Sequence, residues 1–190
     1  MKEVKLKVIG ICGSPRKGNT EWMLGRVLEA ARHRGADTEL VLLREKNIGL
    51  CDGCLSCEVG GQNREGICHL KDDMSELYPS LVAADAWVLG TPVYFELLSA
   101  LLKNFMDRTC PIWPRLKGKV VAATAVAEAG IGQAVANIKT YASLCRMEFI
   151  GSVTALGRDP HDVSKDEAVA RELWRLGESL VQAVEAKQAK

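Results

Sequence analysis

The chain has 190 residues, of which 47% are hydrophobic and 26% charged, and its formal net charge is +1. This composition is typical of a soluble globular protein with one sizeable core, and its near-neutral balance excludes a strongly basic nucleic-acid binder. The longest apolar stretch, residues 120–127, is far too short to span a bilayer, and the N-terminal apolar run predicts a strand rather than a signal peptide. We therefore expect a cytoplasmic protein without nucleic-acid or membrane partners.

Apolar and β-branched runs alternate along the chain with segments of helical spacing. The runs predict five strands, at residues 4–12, 38–44, 86–92, 119–126 and 148–156. The helical segments predict five helices, at residues 20–34, 72–84, 97–109, 132–146 and about 164–186. Because strand and helix alternate five times, we expect parallel strands with helical crossovers on both faces. The sequence predicts one α/β domain over residues 1–190, with a doubly wound five-stranded parallel sheet of order 2-1-3-4-5.

Local signals refine two of the helices. Asp72 and Asp73 favour a helix N-terminus at the start of the second helix, whereas Pro79 predicts a kink or a break inside it. In the last helix, Ser164 is the predicted N-cap and Glu167, three residues later, completes a capping box.

The segment GSPRKGNT, residues 13–20, joins the first strand to the first helix at the edge of the sheet where doubly wound folds bind ligands. It combines small polar donors, a guanidinium and two glycines, which together indicate a phosphate-binding loop. The residues concerned are Gly13, Ser14, Arg16, Gly18, Asn19 and Thr20. Their spacing matches neither a Walker loop nor a dinucleotide fingerprint. The alternative is a capped turn with Asn19 or Thr20 as N-cap, but the position on the fold favours phosphate.

Two further loops lie at the same edge of the predicted sheet. After the third strand, the backbone and side chains of Pro92, Val93, Tyr94 and Phe95 could line a flat ring. The alternative is that Tyr94 and Phe95 form a hydrophobic lid on the core. After the fourth strand, the Gly-rich segment 125–133 would allow a planar ligand to approach the backbone.

Four of the seven cysteines lie in the segment CDGCLSCEVGGQNREGIC, within a non-periodic insertion at about residues 46–71. Their spacing is C-x2-C-x2-C-x10-C, and the residues are Cys51, Cys54, Cys57 and Cys68. Thiols in a cytoplasmic chain stay reduced, so a metal or redox site is favoured over a disulfide framework. Overlapping C-x-x-C steps favour an iron–sulfur cluster over zinc, which usually takes two separated pairs. The alternative is a packed loop of free thiols.

The remaining candidate ligands receive no functional role from the sequence. Cys12, Cys110 and Cys145 fall at a strand end and in helical segments, where core packing explains them. The three histidines are isolated along the chain, and none is assigned to catalysis.

Three segments together resemble a known family. GSPRKGNTEW, GTPVYFELLSALLKNFMDR and LGRDPHDVSKDE look like the flavodoxin-like NAD(P)H-dependent FMN reductases, and within these most like the iron–sulfur flavoprotein branch. The resemblance covers nearly the whole chain and implies a flavodoxin-like fold. It departs at Glu128, where a run of glycines is common, and at the gap before Cys68, which is usually shorter.

The resemblance implies FMN as cofactor. The residues expected to bind its phosphate are Ser14, Arg16, Asn19 and Thr20, on a loop that includes Gly18. The residues expected to contact its isoalloxazine are Pro92, Val93, Tyr94, Phe95, Ala127 and Gly130. The four clustered cysteines would hold a 4Fe–4S cluster, and the relatives imply a homodimer or homotetramer.

The function implied is an FMN-dependent oxidoreductase that passes electrons from NAD(P)H or ferredoxin to a second acceptor, with or without a cluster on the way. Hydride transfer to flavin requires no protein acid or base, so no catalytic residue is expected. The main alternative is an electron-transfer flavoprotein without its own nicotinamide site, although the net charge of +1 and Arg16 disfavour an acidic flavodoxin. A nucleotide-binding regulatory protein on the same fold is a third reading.

Overall fold

One central sheet organises the part of the chain that this computed structural model describes, residues 5–57 and 67–189. Its strands are β1 (Lys7–Cys12), β2 (Asp37–Leu42), β3 (Ala86–Tyr94), β4 (Leu97–Leu98), β5 (Val120–Ala127) and β6 (Glu148–Leu156). The helices are α1 (Asn19–His33), α2 (Asp73–Ala83), α3 (Ala100–Arg108), α4 (Ala134–Leu144) and α5 (Glu167–Gln188). Residues 58–66 of the predicted cysteine-rich insertion lie outside the described residues.

The main sheet is parallel, in the order β2-β1-β3-β5-β6. Without the two-residue β4, which pairs antiparallel with the end of β3, this is the predicted order, so the doubly wound fold is confirmed. The last residue of β1, Cys12, stands level with Gly90 in β3 and Thr124 in β5. Because β3 and β5 continue to Tyr94 and Ala127, they overhang the loop that leaves β1.

Alternate strand residues face two hydrophobic clusters, one on each side of the sheet, as period-2 strands between helical layers require. On one face Val8, Val88 and Ala122 pack with buried residues of α1 and α5. On the other face Trp87 and Leu89 pack with buried residues of α2, α3 and α4. This arrangement fixes the N-terminus of α1 at the carboxyl edge of the strands.

The predicted third helix begins later than residue 97. Leu97 and Leu98 instead pair with Tyr94 and Val93, so the chain makes a β-hairpin before the helix starts. Ser99 is the N-cap of α3, and its Oγ accepts a hydrogen bond from the N–H of Leu102 at 3.2 Å.

Two predicted helix features are wrong. Asp166, not Ser164, caps α5 and accepts hydrogen bonds from the N–H groups of the second and third helical residues. Ser164 lies in a short 3-10 turn and donates its hydroxyl hydrogen to the carbonyl oxygen of His161. Of the kink or break predicted at Pro79, the break does not occur: α2 runs continuously through the proline, because the Asp72 cap and the buried Leu77 and Leu81 hold the helix on the sheet.

Candidate functional site

A cavity of about 300 Å³ opens at the carboxyl ends of β1, β3 and β5. Most of the residues predicted to bind a flavin mononucleotide line it together: Ser14, Arg16, Gly18, Asn19, Thr20, Pro92, Val93, Tyr94 and Ala127. Phe95 and Gly130 are not among the lining residues. The lining also includes residues that were not among the predicted FMN contacts: Val126, Glu128, Gly157, Arg158, Asp159 and Pro160.

The N-terminus of α1 closes one end of this cavity. Gly18 is its N-cap and no side chain accepts a hydrogen bond from the first turn, so the predicted alternative of an Asn19 or Thr20 cap is wrong. The first-turn N–H groups, which have no partner within the helix, and the positive end of the helix dipole are therefore available to an anion. Ser14 is buried beside this turn, where its Oγ donates to the carbonyl oxygen of Arg16 at 2.6 Å.

Gly13 allows the loop after β1 to pass directly beneath α3. A Cβ at this position would lie 2.7 Å from the Cβ of Leu102 and 2.9 Å from the Oγ of Ser99. The backbone is fixed from both sides, because the N–H of Gly13 donates to the carbonyl oxygen of Gly90 at 2.8 Å and its carbonyl oxygen accepts from Ser99 Oγ at 2.6 Å. The close contacts with Leu102 and Ser99 therefore make a glycine necessary at position 13. Gly18, by contrast, has an extended φ of 164°, which any residue adopts.

The segment that follows β6, residues 157–163, forms another wall of the cavity. Nδ2 of Asn19 donates to the carbonyl oxygen of Asp159 at 2.9 Å, and Oδ1 of Asn19 accepts from the N–H of Val163 at 3.4 Å. Asp162 accepts from the N–H groups of Arg158 and Asp159 at 3.2 and 2.8 Å, and the bond from Asp159 is the main cause that lowers the pKa of Asp162. The side chain of Asn19 thus fastens this wall to α1.

Two arginines connect the walls at the cavity rim. Nη2 of Arg16 donates to the carbonyl oxygen of Arg158 at 3.0 Å. The guanidinium of Arg158 in turn lies 3.5 Å from the carboxylate of Glu128, in the loop after β5. Both side chains of this ion pair are largely exposed, so their attraction is weak and either can turn toward a ligand.

The β3–β4 hairpin carries a strained turn beside the cavity. Phe95 and Glu96 occupy its two central positions with φ values of 48° and 64°, as a type I′ turn requires. Glycine and asparagine are usual there, so two larger residues store backbone strain. The loop after β5 holds the turn, because the N–H of Gln133 donates to the carbonyl oxygen of Glu96 at 2.6 Å. A Cβ on Gly132, whose φ is 52°, would lie 2.6 Å from the Cα of Glu96.

Tyr94 and Phe95 do not form a lid on the core. The side chain of Phe95 is 100% exposed, and Tyr94 is 45% exposed at the edge of the cavity. The aromatic end of this hairpin therefore faces away from the hydrophobic clusters.

The four clustered cysteines lie on the opposite side of the sheet from α1. Cys51 and Cys54 are exposed, whereas Cys57 and Cys68 are half-buried. The thiol of Cys54 lies 3.2 Å from Ser56 Oγ, close to Asp52 and His69, whose side chains are 2.8 Å apart. Metal ions are commonly bound by side-chain atoms of His, Cys, Asp and Glu. Within residues 5–57 and 67–189, Asp52, Cys54 and His69 form the only group of three such side chains whose ligand atoms lie within 4.8 Å of one another.

A buried arginine lies under the cysteine loop. Arg108, the last residue of α3, donates to the carbonyl oxygen of Gly49, to both carboxylate oxygens of Asp72 and to the sulfur of Cys68. Burial alone would raise the pKa of Asp72, but the hydrogen bonds from Arg108 and from the N–H groups of Gly49 and Met74 outweigh it and lower that pKa. Burial alone would lower the pKa of Arg108, but its hydrogen bond with Asp72 raises it.

A fifth cysteine reaches the same region, which the sequence did not indicate. Burial is the main cause that raises the pKa of Cys57 to about 12, and the neighbouring thiol of Cys110 adds to it. Cys110 begins a short 3-10 helix after α3, so only the fold brings it near the loop. Cys12 and Cys145 are buried in the two hydrophobic clusters, as expected.

No helix in the described part of the chain combines the length and the apolar character that crossing a membrane would need.

The parallel order β2-β1-β3-β5-β6, with a ligand-sized cavity at the carboxyl ends of its central strands, defines a flavodoxin-like α/β protein. A sequence model of the NADPH-dependent FMN reductase family matches residues 6–161. The chain therefore belongs to the NADPH-dependent FMN reductase family, and this membership supports an FMN-binding oxidoreductase.

Curated relatives narrow the resemblance to one branch. An iron–sulfur flavoprotein of Methanocaldococcus jannaschii is 33% identical in an alignment of 193 positions, which covers 94% of this chain and 97% of the relative. An iron–sulfur flavoprotein of Archaeoglobus fulgidus is 31% identical over 188 residues, which span 96% of this chain and 82% of the relative. Among solved structures, a flavodoxin from the domain Archaea superposes with a TM-score of 0.63 at 17% identity, covering 95% of this chain and 99% of that one.

Proposed function

We propose that this protein is an FMN-dependent oxidoreductase that passes electrons from NAD(P)H, or from ferredoxin, through flavin to a second acceptor. The observation that carries the proposal is the N-terminus of α1, which has no side-chain cap and opens into the same cavity as Pro92, Val93 and Tyr94. An anion-binding helix terminus next to a flat, largely apolar strand end suits a mononucleotide with a planar ring.

The residues around α1 would hold the phosphate of FMN. The Thr20 hydroxyl and the first-turn N–H groups supply neutral donors, and the exposed Arg16 supplies a charge. The Ser14 hydroxyl, which donates to the carbonyl oxygen of Arg16, would have to rotate to donate to the phosphate instead. Because both amide atoms of the Asn19 side chain already bind residues 159 and 163, its contribution to the phosphate falls on its backbone N–H and its second Nδ2 hydrogen.

The ends of β3 and β5 would hold the ring. Pro92, Val93 and Tyr94 form one wall of the cavity, and Ala127 lies across it at the end of the neighbouring strand. Contacts from Phe95 and Gly130 remain predictions, and they require the β3–β4 hairpin or the loop after β5 to turn toward the ligand.

Bound FMN would supply the redox chemistry, taking a hydride from C4 of the nicotinamide at its N5 atom and releasing the electrons to the acceptor. The chain contributes position and charge: α1 fixes the phosphate, the overhanging strands restrict water on one side, and the exposed edge by Tyr94 leaves room for a second substrate.

The four clustered cysteines would hold the iron–sulfur centre. Their donor set fits a 4Fe–4S cluster, since all four are free thiols within one short segment of the sequence and Cys68 already accepts an N–H hydrogen bond, as cluster thiolates commonly do. Cys51, Cys54, Cys57 and Cys68 therefore remain the proposed ligands, and reduced thiols of this kind suit the cytoplasm.

The test is anaerobic purification followed by a visible spectrum and stopped-flow mixing with NADH and NADPH. We expect a yellow-brown protein whose flavin bands bleach with one of the two nicotinamides. If ferredoxin reduces the flavin and neither nicotinamide does, the NAD(P)H version is rejected and the ferredoxin-linked electron-carrier version stands. A protein that is colourless as purified and retains no flavin after excess FMN is added and the unbound FMN removed would reject both versions.

We also propose a homodimer or homotetramer. Tyr94, Phe95 and Leu97 expose apolar surface at the edge of the flavin cavity, and Trp113 is exposed in the short 3-10 helix after α3. Size-exclusion chromatography with light scattering should give a mass that is a multiple of 20.7 kDa, and a monomer at micromolar concentration would contradict this part of the proposal.

A further inference from the structure

Arg108 is a charged residue that the folded chain buries completely. Its side chain is 1% exposed, although long cationic side chains normally keep their head group in water. Its Nη1 donates to the carbonyl oxygen of Gly49 at 2.7 Å and to Asp72 Oδ2 at 2.6 Å. Its Nη2 donates to Asp72 Oδ1 at 3.1 Å and to Cys68 Sγ at 3.6 Å. Its buried Nε has no hydrogen-bond partner among the described residues.

The partners of Arg108 come from both ends of the cysteine loop. Gly49 precedes Cys51 in the chain, whereas Cys68 is the last of the four cysteines and Asp72 follows the insertion. Asp72 also accepts from the N–H of Gly49 at 2.9 Å, so the two ends are joined to each other as well as to the guanidinium. One side chain therefore fixes where the loop starts and where its last thiol stands, despite the ten residues between Cys57 and Cys68.

The contact between Arg108 and Cys68 would also affect the reduction potential of a cluster bound by Cys68. Reduction adds negative charge to a centre that thiolates already make anionic. An N–H group that donates to a ligand sulfur and a buried positive charge both favour the reduced form, because net charge and hydrogen bonds to sulfur set such potentials. The carboxylate of Asp72, on the far side of the same guanidinium, acts in the opposite direction.

We propose that Arg108 is a positioning residue for the iron–sulfur centre: it holds the sulfur of Cys68 in place and, in balance with Asp72, sets the reduction potential of the centre. This inference rests on the proposed function, in which Cys68 is one of four thiolate ligands. The inference adds that Arg108 and Asp72, which lie outside the cysteine motif, adjust the reduction potential of the centre.

The experiment is an anaerobic redox titration of the reconstituted protein, followed by electron paramagnetic resonance, with iron and sulfide measured on the same samples. R108Q removes the positive charge but retains amide donors, whereas R108K keeps the charge but loses the planar pair of guanidinium donors. D72N removes the opposing negative charge and leaves a side chain that is still a good N-cap. K119Q is the matched control, because Lys119 is a partly buried cation that binds the carbonyl oxygens of Val82 and Ala84 at the other end of α2.

We expect R108Q to disfavour reduction at least tenfold, about 59 mV for one electron, and D72N to shift the potential in the opposite direction. R108K should lie between R108Q and the wild type, and K119Q should leave the potential unchanged. If R108Q does not fold, D72N decides alone, since an unshifted or lowered potential contradicts the inference.

The failures are distinguishable. A wild-type chain that takes up no iron and sulfide rejects the proposed cluster and this inference with it. A wild-type chain that holds the cluster while R108Q and D72N leave its potential unchanged, or shift it in the same direction, rejects only the role of Arg108.

Discussion

Nη2 of Arg16 donates a hydrogen bond to the main-chain carbonyl oxygen of Arg158 across 3.0 Å, and this contact joins the loop after β1 to the loop after β6. The partner is a neutral carbonyl, and within residues 5–57 and 67–189 Arg16 forms no ion pair with a carboxylate. Its charge is therefore available to an anionic ligand at the uncapped start of α1.

Replacing Arg16 with alanine should weaken FMN binding about 10- to 100-fold, since a hydrogen bond to a charged group contributes about 1.5–3 kcal/mol. Fluorescence quenching of FMN titrated into the flavin-free protein measures the effect. Lys17→Ala is the matched control, because Lys17 is an exposed cation next in sequence that does not line the cavity. Equal losses in the two variants would indicate general attraction and contradict a specific phosphate contact.

The contact between Gly132 and Glu96 predicts a stability effect that sequence alone does not. Gly132→Ala should destabilise the flavin-free protein by roughly 1–3 kcal/mol, because the new Cβ would overlap the backbone of a turn that cannot move freely. Gly130→Ala should change stability by no more than about 0.5 kcal/mol, since nothing lies within 4 Å of a Cβ at that position. Urea unfolding of both variants measures the difference, and similar midpoints would show that the turn is not held as described.

The alternation of strands and helices predicted the sheet order. β1, β3 and β5 are buried on both faces, so each is a continuous apolar run that can be recognised from its own residues. The hairpin at Phe95 and Glu96 was not predicted, since its turn lacks the glycine or asparagine that normally signals a type I′ turn. Ser164 was predicted as the N-cap from its spacing to Glu167, but residues Val163–Lys165 form a 3-10 turn and the α-helix begins only after Asp166.

The parts of the site that lie in local sequence motifs were predicted, whereas the parts that depend on long-range contacts were not. Short motifs placed Ser14, Asn19 and Pro92 at one cavity, because parallel strands end at a common edge. The wall at Asp159 depends on a bond to Asn19 across 140 residues of chain, which no local pattern contains. Likewise, the cysteine spacing indicated a metal site but gave no sign of the buried Arg108 beneath it.

Replacing Cys54 with alanine should remove most of the iron and sulfide while leaving FMN content per chain unchanged. The proposed thiolates and the flavin cavity are built by different loops, so the loss of one ligand should not disturb the other site. Chemical analysis of the anaerobically reconstituted variant measures both. Cys12→Ala is the control, since Cys12 is buried in the cluster on the α1 face. Iron retained in the Cys54 variant would contradict the ligand assignment.

Asp72→Asn should destabilise the protein at neutral pH by about 3–5 kcal/mol, because it leaves the buried Arg108 without its counter-charge. The pKa of Asp72 is lowered in the folded state, so its stabilising effect is fully present above the unfolded value of about 3.9 and disappears as the pH falls through the folded pKa. The difference between wild type and variant should therefore shrink below about pH 4. Denaturant unfolding at several pH values measures it, with Asp73→Asn as control because Asp73 binds the N–H of Asn47 and not Arg108. If the stability difference between wild type and variant stays constant with pH, the negative charge of Asp72 is not what stabilises its interaction with Arg108.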